Sequence, residues 1–133
     1  MGEGKRIYTM GTSDRTLEEV IQILRSQGII FVVDVRRFPR SKYRHFNQTY
    51  LSAALREAGI DYGHLGEELG GYRKGGYEAH TRTESYQRGL DRLEKWATSR
   101  PAVILCAERL PSRCHRRFIA QSLQERGWQV IHL

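Results

Sequence analysis

Several protein classes are excluded by what this sequence has little of. It holds two cysteines and three prolines in 133 residues. Two thiols are too few for a secreted disulfide scaffold, so Cys106 and Cys114 are expected to be free thiols in a reducing compartment. The scarcity of proline and the absence of any low-complexity run exclude a disordered or linker-like chain. No apolar stretch approaches the ~20 residues that span a bilayer, and the opening MGEGKRIYTM lacks the apolar centre of a signal peptide. Arg6 stands where myristoylation after Met-Gly requires Ser or Thr. A cytoplasmic chain with no membrane partner is the expectation.

Known ligand signatures are missing too. There is no CxxC or HxxxH pair, and Cys114 and His115 are awkwardly spaced to share one ion, so no metal is expected. Neither the P-loop pattern nor GxGxxG occurs, so no nucleotide cofactor is expected. The length suits one domain over residues 1–133, with residues 1–5 flexible.

What is present is positive charge. Lys and Arg number 22 against 15 Asp and Glu, a net +7, and 18 of the bases are Arg, whose planar fork suits phosphate better than Lys does. Residues 36–44 carry five bases and residues 109–117 carry four, with no acid in either window. The rest of the chain has thirteen bases against fifteen acids. The excess is therefore concentrated in two segments, which points to an anionic partner.

The hydrophobic pattern alternates strand and helix. RIYTM (6–10) reads as a strand; Thr16 and Glu19 form a capping box for a helix with Leu17, Val20, Ile21 and Leu24 inside, closed by Gly28. The β-branched run 29–35 reads as a strand buried on both faces. Asn47 is placed to cap a helix ending at Gly59, followed by a strand at 61–65. Residues 66–82 contain five glycines and read as a long loop. Thr83 caps a helix through Tyr86, Leu90, Leu93 and Trp96; AVILC (102–106) is a strand; Ser112 caps a helix with Phe118, Ile119 and Leu123; and 128–133 form the last strand. The expected fold is a single three-layer α/β domain, its mostly parallel sheet of about five strands flanked by helices. Ligands of such sheets bind beyond the carboxyl ends of the strands, so residues 11–15, 36–47, 65–82 and 107–113 should share one rim.

Three constellations on that rim carry chemistry. After Asp34, whose carboxylate needs a partner at the end of a buried strand, come Arg36, Arg37, Arg40, Lys42 and Arg44 with Phe38 and Tyr43 between them, a combination suited to phosphates and stacked bases. Cys106 ends a strand with Glu108 two residues on, and Cys114, His115 and Arg116 open a helix where dipole and arginines favour an anion or a thiolate. In the glycine-rich segment Glu67 and Glu68 offer carboxylates, while Tyr72, Arg73 and Lys74, with Tyr77, His80 and Arg82 beyond them, are placed to close over a ligand.

Taken together, Thr9 to Ser13, VVDVRRFPRS (32–41), Phe46-Asn47, LGEELGG (65–71), LCAE (105–108), CHR (114–116) and the GWxVxH pattern (127–132) resemble the domain-of-unknown-function family 488. The resemblance implies a small α/β fold and a site around those motifs, without fixing a reaction. The family's opening motif usually reads TIGHS, and Thr12 replaces that histidine here. Ser13, Asp34, Glu108 and the CHR segment match. The VVDVR strand also looks distantly like rhodanese domains, but Arg113, the candidate arginine, comes seven positions after Cys106 with a proline in between.

The leading expectation is a protein that binds nucleic acid or a phosphorylated, nucleotide-like small molecule and hydrolyses a phosphodiester or glycosidic bond in it. Arg36, Arg37, Arg40, Lys42, Tyr43, Arg44, Ser13 and the Cys114-His115-Arg116 start would bind. Asp34 or Glu108 would serve as general base or electrostatic stabiliser. The alternatives are a sulfurtransferase-like thiol enzyme with Cys106 as carrier, and a non-catalytic nucleic-acid-binding module.

Overall fold

The computed structural model describes residues 5–38, 44–71, 73–108, 110 and 114–133. Five strands form one all-parallel sheet: β1 (Arg6–Gly11), β2 (Phe31–Asp34), β3 (Asp61–His64), β4 (Ala102–Cys106) and β5 (Gln129–His132), in the spatial order β3-β2-β4-β1-β5. The helices are α1 (Leu17–Ser26), α2 (Gln48–Glu57), the single turns α3 (Gly66–Leu69) and α4 (Tyr77–His80), α5 (Glu84–Ser99) and α6 (Arg116–Glu125), with a 3-10 turn at Arg44–Phe46 before α2.

Each strand alternates its side chains between two cores. Val32, Val103, Leu105, Tyr8 and Met10 meet Val20 and Leu24 of α1 and Leu51 and Leu55 of α2. Phe31, Val33, Ala102, Ile104 and Ile7 meet Leu90 and Leu93 of α5 and Ile119 and Leu123 of α6 on the opposite face. Period-two side-chain geometry thus makes three layers from strands that are apolar on both sides.

The path of the chain locates the site. From β1 to β2 to β3 the chain moves toward the β3 edge with α1 and α2 on one face; from β3 to β4 to β5 it moves the other way with α5 and α6 on the other. One crossover hand demands that change of face when the direction reverses. β4, flanked by β2 and β1, therefore sends its connection to the opposite face from both neighbours. The carboxyl end of β4 is the switch-point crevice where parallel sheets bind ligands.

Local signals set most boundaries. The Thr16 hydroxyl accepts from the Glu19 amide at 3.0 Å while the Glu19 carboxylate accepts from the Thr16 amide at 2.7 Å, completing the capping box. Thr83 accepts from the Tyr86 amide and starts α5. Asn47 occupies the expected cap position without a side-chain cap bond. Ser112 lies outside the described residues, as do residues 1–4; α6 begins at Arg116, with His115 at its cap position and no side-chain cap bond. The segment 66–82 is not wholly loop: it holds α3 and α4, each of four residues, too short to show a helical period.

Because the capping box satisfies two helix-end donors, Thr16→Ala is expected to lower the unfolding free energy by about 1 kcal/mol. Leu24→Ala, which opens a void under the same helix, should cost about 2–5 kcal/mol in the same urea titration. An unchanged midpoint for Thr16→Ala would contradict the observed cap.

Candidate active site

The crevice at the end of β4 is a cavity of about 620 Å³, open to solvent. Its walls come from the segment after β2 (Arg36, Arg37, Phe38), the glycine-rich segment (Gly71, Arg73, Tyr77), the end of β4 (Cys106, Ala107, Glu108) and the start of α6 (Cys114, His115, Arg117, Phe118). Four segments distant in sequence meet there because the strands that carry them are neighbours.

The wall after β2 is held by a buried charge pair. Asp34 is sealed from solvent, and its carboxylate accepts from Arg36 Nε at 2.8 Å, Arg36 Nη2 at 2.7 Å, the Arg36 amide at 3.1 Å and the Tyr62 hydroxyl at 2.6 Å. Arg36 Nη1 donates to the Phe46 carbonyl at 2.7 Å. Burial opposes the Arg36 charge, but the hydrogen bonds and attraction of Asp34 outweigh it and raise the guanidinium's pKa. Burial, and then the negative charge of Asp34, push the Tyr62 hydroxyl up, so it stays protonated and donates. Asp34 is thus committed to structure, and the acid–base chemistry of the cavity falls to other groups.

Glycine sets how closely the next wall approaches. A Cβ on Gly66 would lie 2.1 Å from the Arg36 carbonyl, and one on Gly70 would lie 2.5 Å from Arg37 Cα. A Cβ on Gly71 would come within 3.2 Å of His115 Nδ1. These glycines let α3 and its exit press against the Arg36–Arg37 backbone and the His115 ring, whereas Gly75 and Gly76 have positive φ and open surroundings. Arg73 is anchored by Nε to the Gly70 carbonyl at 2.8 Å and by Nη2 to the Glu67 carbonyl. Its pKa is lowered by burial first and next by the positive charge of Arg37. Two guanidiniums that repel each other across one cavity wall favour an anion between them.

The sulfur chemistry lies at the floor. Cys106 and Cys114 belong to one packed cluster and both line the cavity, with Cys106 Sγ donating to the Glu108 carbonyl at 3.8 Å. Cys114 Sγ faces His115 Nδ1 at 3.7 Å and accepts from the Arg116 amide at 3.4 Å. His115 Nε2 lies 3.1 Å from the Val35 carbonyl, which can only accept, so Nε2 donates there and Nδ1 is the nitrogen that takes the Cys114 thiol proton as the thiolate forms. The hydrogen bond from Cys106 is the largest influence on Cys114 and lowers its pKa; burial opposes this, and His115 and the Arg116 amide add to the lowering. Cys106 is pushed the opposite way, by its bond to Cys114 and then by burial, and remains a thiol. The arrangement is a Cys–His pair with a second thiol on the same cavity wall.

Of the residues selected from sequence, Arg36, Arg37, Arg73, Cys106, Glu108, Cys114 and His115 line the cavity. The Arg116 guanidinium is fully buried beneath it, donating from Nη1 to Thr9 Oγ1 at 2.9 Å and from Nη2 to the Glu108 carbonyl at 2.6 Å. Thr9 passes the contact on, its hydroxyl hydrogen-bonded to His132 Nδ1 at 2.5 Å. Ser13, at φ 47°, donates its amide to the Ala107 carbonyl at 2.8 Å and does not line the cavity; Thr12 likewise donates its amide to the Cys106 carbonyl. Arg44, Glu67, Glu68 and Lys74 also lie off the wall, with Glu68 paired to Arg92 at 3.6 Å. Arg40, Lys42, Tyr43 and Tyr72 lie outside the described residues. Among the described residues no group of three or more His, Cys, Asp or Glu is placed to hold a metal ion, and no helix is long and apolar enough to cross a membrane.

Removing the carboxylate that neutralises Arg36 leaves a buried cation uncompensated. Asp34→Ala is therefore expected to lose about 3–5 kcal/mol of unfolding free energy in urea. A loss below about 1 kcal/mol, the scale of an exposed ion pair, would contradict the structural role given to Asp34.

Residues 16–123 match the family model described as Domain of unknown function DUF488. No curated protein and no solved structure matches the chain. The matched span holds both charged segments, the glycine-rich segment and both cysteines, and the chain belongs to the DUF488 family of domains of unknown function.

Proposed function

We propose that the protein is a thiol-dependent hydrolase of a phosphate-bearing, nucleotide-like ligand, with Cys114 as nucleophile. One observation carries this reading: a Cys–His dyad opens into the same cavity as Arg37, Arg73 and Arg117. The cavity volume falls within the ~300–1,000 Å³ range of small-molecule sites. The guanidiniums supply donors for phosphate oxygens, and Phe38 and Tyr77 add ring surface for an apolar or aromatic moiety.

In the first step the Cys114 thiolate attacks the phosphorus of the bound ester. A sulfur–phosphorus bond forms and the phosphorus–oxygen bond to the leaving group breaks, while Arg37 and Arg73 hold the charge that gathers on the non-bridging oxygens. Glu108, in the cavity wall, passes a proton to the departing oxygen. In the second step Glu108 takes a proton from water, whose oxygen displaces sulfur from phosphorus and returns Cys114 as a thiolate. His115, fixed by Val35, balances the thiolate charge before and after each cycle.

A second reading, sulfur transfer, is favoured by the second thiol against the nucleophile. In it the carrier is Cys114, since Cys106 is held protonated. A persulfide on Cys114 after incubation with thiosulfate, with no phosphate release from any ester, would select it.

The test is binding and turnover with nucleoside mono- and diphosphates and short DNA and RNA at low salt. Arg37→Ala and Arg73→Ala should each weaken nucleotide binding about tenfold, the scale of one charge-assisted hydrogen bond, and affinity should fall as salt rises. Cys114→Ala should abolish turnover and retain binding. Absent binding at low salt, or affinity indifferent to both arginines, would overturn the reading. Binding to DNA or RNA alone, with no turnover, would replace it with the non-catalytic module.

A further inference from the structure

The hydrolysis above uses Cys114 and gives Cys106, whose Sγ lies 3.8 Å from the Glu108 carbonyl, no chemical step. Cys106 ends β4 and Cys114 lies two residues before α6, so regular structure fixes both residues, and both belong to the same packed cluster. Both also line the open cavity, so a small solute reaches them although each residue is otherwise buried. Most buried cysteines are inert apolar fillers with no polar neighbour on the sulfur. Here one sulfur has a histidine nitrogen at 3.7 Å and a backbone amide at 3.4 Å, and the other, 3.8 Å from the Glu108 carbonyl, belongs to a residue lining the same cavity. A nucleophilic sulfur exposed to a cavity, with a second thiol on the same cavity wall, is the arrangement in which oxidation ends in a disulfide instead of in higher oxides.

We infer that Cys114 and Cys106 form a reversible two-electron redox couple, in which a hydroperoxide oxidises Cys114 and Cys106 resolves the product as an intramolecular disulfide. The Cys114 thiolate attacks one peroxide oxygen, breaking the oxygen–oxygen bond; sulfur becomes a sulfenic acid and, for hydrogen peroxide, hydroxide departs. The Cys106 sulfur then attacks the Cys114 sulfur, the sulfur–sulfur bond forms, and the sulfenic oxygen leaves as water with the Cys106 proton. The two thiols lose two electrons and the peroxide gains two. An external dithiol restores both by exchange.

The disulfide removes the nucleophile but leaves Arg37 and Arg73 in place. Oxidation therefore abolishes turnover and spares ligand binding, a consequence that rests on the thiolate hydrolase reading; disulfide formation itself does not.

The experiment uses the full chain. Folded protein is treated with hydrogen peroxide in modest excess, blocked with iodoacetamide in denaturant, and digested with trypsin without reductant. Cleavage after Arg109 and Arg113 separates the cysteines, so the bond is read as the Cys106 peptide joined to Cys114-His115-Arg116. The expected result is this linked peptide as the main product, reversed by dithiothreitol. Cys106→Ala should stop at the sulfenic acid, giving a severalfold rise in dimedone adduct at Cys114 over wild type, and Cys114→Ala should form neither product. Circular dichroism on each variant confirms that the fold persists; should Cys106→Ala unfold, Cys106→Ser replaces it and the wild-type digest still decides. Dimedone adduct or sulfinic acid in wild type without the linked peptide, or a linked peptide only in denatured protein, overturns the inference. Arginine-dependent binding and Cys114-dependent turnover without the linked peptide would leave the hydrolase reading standing while this inference fails.

Discussion

A single buried ion pair organises the carboxyl end of the sheet. Asp34 lies at the last position of β2, where its backbone is already committed to the ladder with β3 and β4. Its carboxylate takes the Arg36 guanidinium in a two-point contact, and Arg36 in turn donates to the Phe46 carbonyl. Two residues of loop and the turn before α2 are thereby tied to one carboxylate. The Arg36 carbonyl accepts from His64 Nε2 at 2.7 Å, joining the β3 end to the same knot. Arg37 and Phe38 follow directly, so the knot determines where the cavity wall stands. Apolar replacement of a buried pair is often neutral for stability; what the pair supplies here is position.

Against that wall the sulfur site is assembled by backbone carbonyls as much as by side chains. Val35 lies between Asp34 and Arg36, and its carbonyl selects the His115 tautomer that offers Nδ1 to Cys114. The Glu108 carbonyl holds the Arg116 guanidinium under the floor, where its charge acts on the Cys106 sulfur. Burial alone would raise both thiols. The Cys106 thiol, a neighbouring imidazole and an amide at the start of α6 reverse that for Cys114, whose pKa is lowered while that of Cys106 is raised.

Much of the fold was legible in the sequence because its signals are local: β-branched runs for strands buried on both faces, the Thr16/Glu19 box, Thr83, and glycines closing helices. The rim followed from topology, and the charge windows at 36–44 and 109–117 pointed to it. Tyr62 and His64 were not selected. They alternate on the edge strand β3, and their polarity at i and i+2 beside Asp34 was the available sign. The roles of the two cysteines could not be separated by spacing, because they depend on neighbours met only in three dimensions, among them a His115 ring held by the Val35 carbonyl eighty residues away. Arg116 reads as an exposed helix-start cation in one dimension; in three it is buried, since Thr9 and the Glu108 carbonyl supply acceptors that sequence order hides. Likewise the glycine pair at 70–71 suggests a hinge, whereas its missing Cβ atoms serve close packing against Arg37 and His115.

The central claim is that Cys114 is a thiolate in the reduced, folded protein. The most direct measurement is a pH titration of thiolate ultraviolet absorbance on wild type, Cys114→Ala and Cys106→Ala. A thiolate whose folded pKa lies below its unfolded value is present down to that folded value and is lost only as pH falls through it. The account predicts one thiolate equivalent in wild type well below the ordinary thiol pKa of about 8.5. That absorbance should be absent in Cys114→Ala and should titrate at higher pH in Cys106→Ala, where the donated hydrogen bond is gone. A wild-type protein whose first thiolate appears only near or above the ordinary value would contradict it.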